Sequence, residues 1–164
     1  DAKYKRYIGN GAPKHFLSWS NNLTWKNFDL SVFFRGTFGF DVFNMRKYGM
    51  GLQGCGTDNV LRSAYLEDKN IRTGGGVISS YFLEDGSFIK LENVTLGYNF
   101  TPKNRKLLDN MRIYLSAKNL FTLTGYSGND LSIIDVNGIQ PGVDSNSAYP
   151  TATQLSLGVT LRFK

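Results

Sequence analysis

Cysteine and histidine are almost absent from this chain. Cys55 is the only cysteine in 164 residues, which excludes an internal disulfide framework and a multi-cysteine metal site. His15 is the only histidine, and no Ser or Cys stands beside it in a nucleophile motif, so it reads as the start of a strand rather than a catalytic base. No run approaches the roughly 18 uninterrupted apolar residues that a membrane-crossing helix needs. The sequence opens Asp1-Ala2-Lys3 without a basic stretch leading into an apolar one, and so reads as a mature protein or a part of one. Acid is in deficit: 19 Lys and Arg against 13 Asp and Glu leave +6. The bases are scattered, and the two short clusters, Lys3-Tyr4-Lys5-Arg6 and Lys103-Asn104-Arg105-Lys106, match no nucleic-acid motif, which leaves no nucleic-acid partner to expect.

What is abundant is aromatic side chain, 14% of residues, and alternation. A hydrophobic share of 41% with 20% charge excludes disorder for the whole. Phe28, Leu30, Val32, Phe34, Gly36, Phe38, Phe40 and Val42 line one face of a period-two run of about 15 residues, with Asp29, Ser31, Phe33, Arg35, Thr37, Gly39 and Asp41 between them. Leu155, Leu157, Val159, Leu161 and Phe163 alternate with polar partners at the other end of the chain. Leu17, Trp19, Leu23 and Trp25 form a noisier third strand, and Met111, Ile113, Leu115 and Ala117 a fourth. In a fifth, Ile89 and Leu91 give way to Val94, Leu96, Tyr98 and Phe100, a change of phase that predicts a β-bulge near Glu92-Asn93.

The connections alternate in length. Trp25 to Asn27 is a tight turn and Thr101 to Asn110 is moderate, whereas Met45 to Ser80 and Thr124 to Pro150 are long. The first long connection holds one short helical pattern over 59–68, broken by Gly74-Gly75-Gly76. A strand with one apolar face suits a soluble sandwich or a membrane barrel. The 15-residue run exceeds the usual globular strand and suffices for a tilted crossing of roughly 9 to 11 residues. Aromatics at the ends of the apolar faces and the short-turn, long-loop asymmetry favour the barrel. The alternative is a soluble β-sandwich that binds carbohydrate. Five strands cannot close a barrel whose smallest members have about eight, so the remaining strands must come from elsewhere.

Three stretches then become recognisable: Gly39-Phe-Asp-Val-Phe-Asn44, the run from Phe82-Leu-Glu-Asp-Gly-Ser to Leu-Gly-Tyr-Asn-Phe100, and Ile113-Tyr-Leu-Ser-Ala-Lys-Asn-Leu-Phe-Thr-Leu-Thr-Gly-Tyr-Ser-Gly128. In this order they resemble the C-terminal barrel strands of SusC-like (SusC/RagA) TonB-dependent outer-membrane transporters, over nearly the whole chain. The resemblance implies an all-β, antiparallel segment, residues 1–164, of a large transmembrane barrel with an N-terminal plug that is absent here. It further implies contact with TonB through that missing part, a SusD-like surface lipoprotein as partner, and import of glycans or peptides across the outer membrane of a Gram-negative bacterium of the Bacteroidetes. Two positions differ from the family pattern: Tyr126-Ser127-Gly128 runs into Asn129-Asp130-Leu131 rather than Asp-Pro-Glu, and Lys164 follows the terminal aromatic.

No enzyme, cofactor or metal is expected. Glu84 and Asp85, a carboxylate pair in name, would point to opposite faces of a strand and precede a turn glycine. The oxygen-rich set Asp130, Asp135, Asn137, Asp144 and Asn146 lacks the spacing of a calcium loop. Tyr126 and Tyr149 are the candidates for stacking on a ligand. Lipid-facing side chains are expected to be Phe28, Leu30, Val32, Phe34, Phe38, Phe40, Leu155, Leu157, Val159, Leu161 and Phe163, with Asp29, Arg35, Asp41, Arg112, Lys118 and Arg162 on the opposite face.

Overall fold

The computed structural model of the chain describes residues 5–51, 59–66, 78–102, 108–132, 139–145 and 149–164. Cys55, the Gly74-Gly75-Gly76 run, the cluster from Lys103 to Lys106, and Asp135, Asn137 and Asn146 lie outside the described residues. In chain order the strands are β1 (His15–Trp25), β2 (Phe28–Phe38), β3 (Asp41–Asn44), β4 (Leu83–Asp85), β5 (Phe88–Phe100), β6 (Leu108–Thr124), β7 (Val143–Asp144) and β8 (Gln154–Phe163). The long ones form a five-stranded sheet in the order β1-β2-β5-β6-β8.

The alternating sequence fixes that sheet through register. Strands β6 and β8 pair antiparallel with Met111 opposite Leu161, Ile113 opposite Val159, Leu115 opposite Leu157 and Ala117 opposite Leu155. Apolar residues therefore meet apolar residues on one face, and Arg112, Ser116 and Lys118 meet Thr160, Ser156 and Gln154 on the other. A register shift between Leu108 and Asn110 absorbs Asp109, which lets Leu108 pair with Phe163 and keeps both on the apolar face. Without it the two-residue period would carry one of them across the sheet.

The run from Phe28 to Val42 is not one strand. Gly39 adopts φ +74°, a left-handed conformation that costs glycine little, and it ends β2 at Phe38. Beyond it, β3 joins a small three-stranded sheet, antiparallel to β4 and parallel to β7. Phe40 is consequently 6% exposed and Val42 wholly buried. The expectation that Phe40 faces lipid is thereby corrected: the alternation persists through Gly39, but the backbone turns there and carries Phe40 into a separate core. Asp41 moves with it, out of the five-stranded sheet.

Two compact units result. One takes in Phe16–Gly36, Phe88–Leu123 and Ala152–Lys164, the body of the five-stranded sheet. The other collects Asp1–His15, Thr37–Ser87 and Thr124–Thr151, which include both long connections. Its core is aromatic: Phe82 lies 6.0 Å from Phe43, 5.2 Å from Tyr48 and 5.2 Å from Tyr81, mostly edge to face. The stretch read as loop after Val42 contains α1 (Met45–Met50), whose first turn is capped by Asn44 Oδ1 accepting from the Lys47 N–H at 2.8 Å. The helical pattern over 59–68 is realised as the single turn α2 (Ser63–Leu66).

Candidate functional site

The five-stranded sheet offers two chemically different faces. On the apolar face, Leu155, Leu157, Val159, Leu161 and Phe163 are all exposed, Leu157 to 76%. Large aromatics cross the strands there in two rows: Trp25 to Phe28 at 6.4 Å and Phe28 to Tyr98 at 4.8 Å, then Trp19 to Phe34 at 5.7 Å and Phe34 to Phe121 at 6.5 Å. Within β5 the exposed apolar positions change parity, from Ile89 to Leu96, Tyr98 and Phe100, in keeping with the phase change in the sequence. A soluble fold buries such a face against a second layer. Among the described residues it stands open, and apart from the Trp19 and Trp25 indole N–H groups and the Tyr98 hydroxyl its side chains are apolar.

The polar face is a hydrogen-bonded lattice. The Arg112 guanidinium reaches Asp29 through Nε at 3.1 Å and Nη2 at 2.5 Å, and Asn99 Nδ2 donates to the same carboxylate at 2.8 Å. The guanidinium also lies 5.0 Å from the centre of the Tyr114 ring. Thr95 Oγ1 donates to Ser116 Oγ at 3.0 Å, and Ser116 in turn to Asn93 Oδ1 at 3.4 Å. Arg35 Nε sits 3.2 Å from Glu92, its guanidinium 5.6 Å from the ring centre of the buried Phe88. The expected placement of Asp29, Arg35 and Arg112 away from the apolar face is thus realised, and each has an assigned partner.

In the other unit the residues singled out from sequence take structural roles. Glu84 accepts from the Ser127 N–H and hydroxyl, both at 2.8 Å, and from Asn44 Nδ2 at 3.3 Å, with Lys47 Nζ 3.5 Å away. One carboxylate therefore ties β3, β4 and the start of the second long connection. Asp85 instead accepts from the Ser87 N–H and hydroxyl, a local turn. The two acids do not converge on a common point, and the carboxylates have no reactive geometry. Tyr126 is 7% exposed, and its hydroxyl donates to Asp144 at 2.6 Å. Burial, the hydrogen bond to Asp144 and the negative charges of Asp144 and Glu84 all push its ionisation upward. Its ring is packed inside the unit, which corrects the expectation that it stacks on a ligand. Tyr149, at 88% exposure, keeps a free ring.

Asp130 shows the opposite balance. Partial burial opposes its ionisation, but the Ser132 and Thr151 hydroxyls and their backbone N–H groups all donate to it and hold it at about 2. Among the described residues no group of three or more His, Cys, Asp or Glu side chains could hold a metal ion. Asn44 and Glu84 are the residues that sequence reasoning underrated. The capping preference of Asn was a legible signal for the first, whereas nothing local announced the second.

No protein-family model matches the chain. The TonB-dependent receptor P3 of Formosa agariphila is 26% identical over 180 aligned residues, which take in 97% of this chain and 17% of that protein. The TonB-dependent receptor SusC of Bacteroides thetaiotaomicron is 28% identical over 156 residues, 90% of this chain and 15% of that one. The RagAB peptide importer in its closed-closed state superposes with a TM-score of 0.73 over 92% of this chain and 17% of that chain, at 24% identity. Its open-open state gives 0.67 at 22% identity. By fold the chain is an antiparallel β-sheet of the kind that builds the RagA barrel. By sequence it is SusC-like, similar over nearly its whole length to TonB-dependent receptors, and it spans about a sixth of the length of the curated relatives it matches.

Proposed function

We propose that this chain is a C-terminal part of the barrel wall of a TonB-dependent outer-membrane importer, one that takes up oligosaccharides or peptides too large for simple pores. The observation that carries the reading is the sheet itself. Strands of 10 to 17 residues present one face of exposed Leu, Val, Phe and Trp and one face of polar and charged groups. That division suits lipid on one side and an aqueous interior on the other. Phe28, Leu30, Val32, Phe34, Phe38, Leu155, Leu157, Val159, Leu161 and Phe163 are the lipid-facing residues under this reading, without Phe40. Under this reading a plug and its contact with TonB belong to parts of the protein beyond this chain, and a SusD-like lipoprotein is a separate partner over the outer opening.

Strand parity gives the orientation. If β8 ends on the periplasmic side, the Lys26-Asn27 turn and the β5 to β6 connection are periplasmic too, and both long connections lie outside. The test is uptake and fractionation in the parent bacterium. The full protein should leave the outer membrane only with detergent, and deleting its gene should abolish proton-motive-force-dependent uptake of a labelled oligosaccharide or peptide pool. Release by high salt or carbonate alone would replace this reading with the soluble sandwich.

A further inference from the structure

Strand β3 is only four residues long, yet both of its ends act as junctions. At the first, the Asp41 N–H donates to the Asn10 carbonyl at 2.8 Å, and the Asp41 carboxylate accepts from the Asn10 N–H at 2.9 Å. This pair fastens the segment that precedes β1. The fit beside it is backbone against backbone: a Cβ on Gly11 would collide with the Pro141 carbonyl, and one on Gly142, itself at φ +76°, with Gly11 Cα. The Phe43 N–H donates to the Gly142 carbonyl at 2.7 Å, which brings in the far end of the second long connection.

At the other end stands Asn44, 2% exposed. Its Oδ1 caps α1, while its Nδ2 donates to Glu84 Oε1 at 3.3 Å and to Ser127 Oγ at 3.2 Å. Both ends of the first long connection thereby meet the start of the second. Tyr126 closes the circuit, because its hydroxyl donates to Asp144, the register partner of Asn44 in β7. Partial release is costly at both junctions. Asn44 is buried and cannot exchange one partner for water while keeping the others, and backbones packed without room for a Cβ are either seated or apart. We infer that β3 is a latch: the segment before β1 and the two long connections open and close around it as one cooperative unit. A ligand or partner then meets the three as a single surface or not at all. The inference goes beyond the importer reading and does not need the apolar face to lie in a bilayer.

Hydrogen exchange, read by mass spectrometry on the full-length protein in mild detergent, tests the latch. The amides of Asn10, Asp41, Phe43, Lys47 and Ser127 each donate one of the bonds around β3 and so report on every tied segment. In the wild type their opening should converge on one dependence on added urea, as members of a single unfolding unit do. Asn44→Ala removes the cap and both Nδ2 bonds, and should speed exchange about tenfold at Asn10, which it does not touch, as well as at Lys47 and Ser127. Gly11→Ala acts from the opposite junction. It should speed exchange at Lys47 and Ser127 as much as at Asn10, while Ile113 and Leu115 in β6 stay unchanged. Faster exchange confined to the residues that touch each substitution would overturn the inference and make the three segments independent loops. Distinct urea dependences in the wild type would overturn it equally, and that arm decides even where a variant fails to assemble.

Discussion

Asp29 and Arg112 form an ion pair between strands that are not neighbours. They stand on β2 and β6, with β5 between them. Two strand spacings are about 10 Å, too far for these side chains to meet unless nothing rises from the middle strand. Gly97 is that gap: a Cβ there would stand 2.5 Å from Asp29 Oδ1 and 2.7 Å from Arg112 Nε. The glycine weakens its own strand, and in exchange three strands are tied by one carboxylate, Asn99 adding a donor from β5. The pair is partly solvated, so its strength lies in bidentate geometry rather than burial.

Gly97→Val should accordingly destabilise the full-length protein more than Asp29→Asn does. The substitution inserts atoms where the pair now lies, whereas the amide keeps one oxygen for the Arg112 Nε and Asn99 donors and loses the charge and the second acceptor that Arg112 Nη2 now meets. We expect about 2 kcal/mol against about 1 kcal/mol, read as loss of heat-resistant folded barrel in detergent. A double-mutant cycle on Asp29 and Arg112 should show coupling in the wild-type background and none beside Gly97→Val. Coupling that persists there would mean that the pair does not need the gap.

A second glycine has the same logic with an aromatic in place of the ion pair. Tyr114 stands opposite Gly158, and a Cβ on Gly158 would fall 2.3 Å from the ring's Cζ. The ring covers the bare backbone of β8, as aromatics do for strand glycines. Gly158→Ala should cost about 1 to 3 kcal/mol alone and much less combined with Tyr114→Ala, because the second change vacates the space. Additive costs in the melting of the double variant would reject the packing account.

The faces of the sheet were legible because alternation is a property of neighbouring residues. Leu155 to Phe163 and Met111 to Ala117 each show it in ten residues or fewer, and the register between them follows from matching the apolar sides. Gly39 was the place where that logic failed. Its left-handed φ ends β2 without disturbing the alternation of Phe38, Phe40 and Val42, so a one-dimensional pattern could not reveal that the second pair belongs to another sheet. The pairings of Asp29 with Arg112 and of Glu84 with Ser127 were hidden for a different reason. Their partners are 83 and 43 residues apart, and only the strand order brings them together. Tyr126 read as a binding aromatic because its neighbours are loop-like, while its burial depends on contacts as distant as Asp144.

Asp130 should make its loop sensitive to acid. Its ionisation is held down to about 2, below the roughly 3.9 of an unfolded chain. A depressed carboxylate stabilises the folded state fully above the unfolded value, and that stability fades as pH falls from about 4 towards 2. Discounted for partial exposure, the effect is about 1 kcal/mol locally. Hydrogen exchange, corrected for the intrinsic pH dependence, should show protection at Ser132 and Thr151 decline over that window. Asp130→Asn should lower protection at pH 7 and flatten the decline. An unchanged pH profile in the variant would show that the four donors do not depend on the charge.

The final strand tests whether the apolar face is what the membrane reads during assembly. Phe163 pairs with Leu108 on the apolar face at the strand end, Leu157 pairs with Leu115 further in, and Arg162 lies on the polar side opposite Asn110. Placing a charge on a lipid-facing position costs most near the bilayer midplane and little at its edge, whereas the polar side is already charged. In the full-length protein, Leu157→Asp should therefore reduce assembled outer-membrane protein most severely, Phe163→Asp less so, and Arg162→Ala hardly at all. Arg162 is largely solvated and its 3.8 Å approach to Asp109 contributes little, so its loss is a fair control. The amount of folded, protease-resistant protein in isolated outer membranes is the quantity to measure. Equal losses in Phe163→Asp and Arg162→Ala would mean that the terminal strand is recognised by its edge alone, without regard to which face its aromatic occupies.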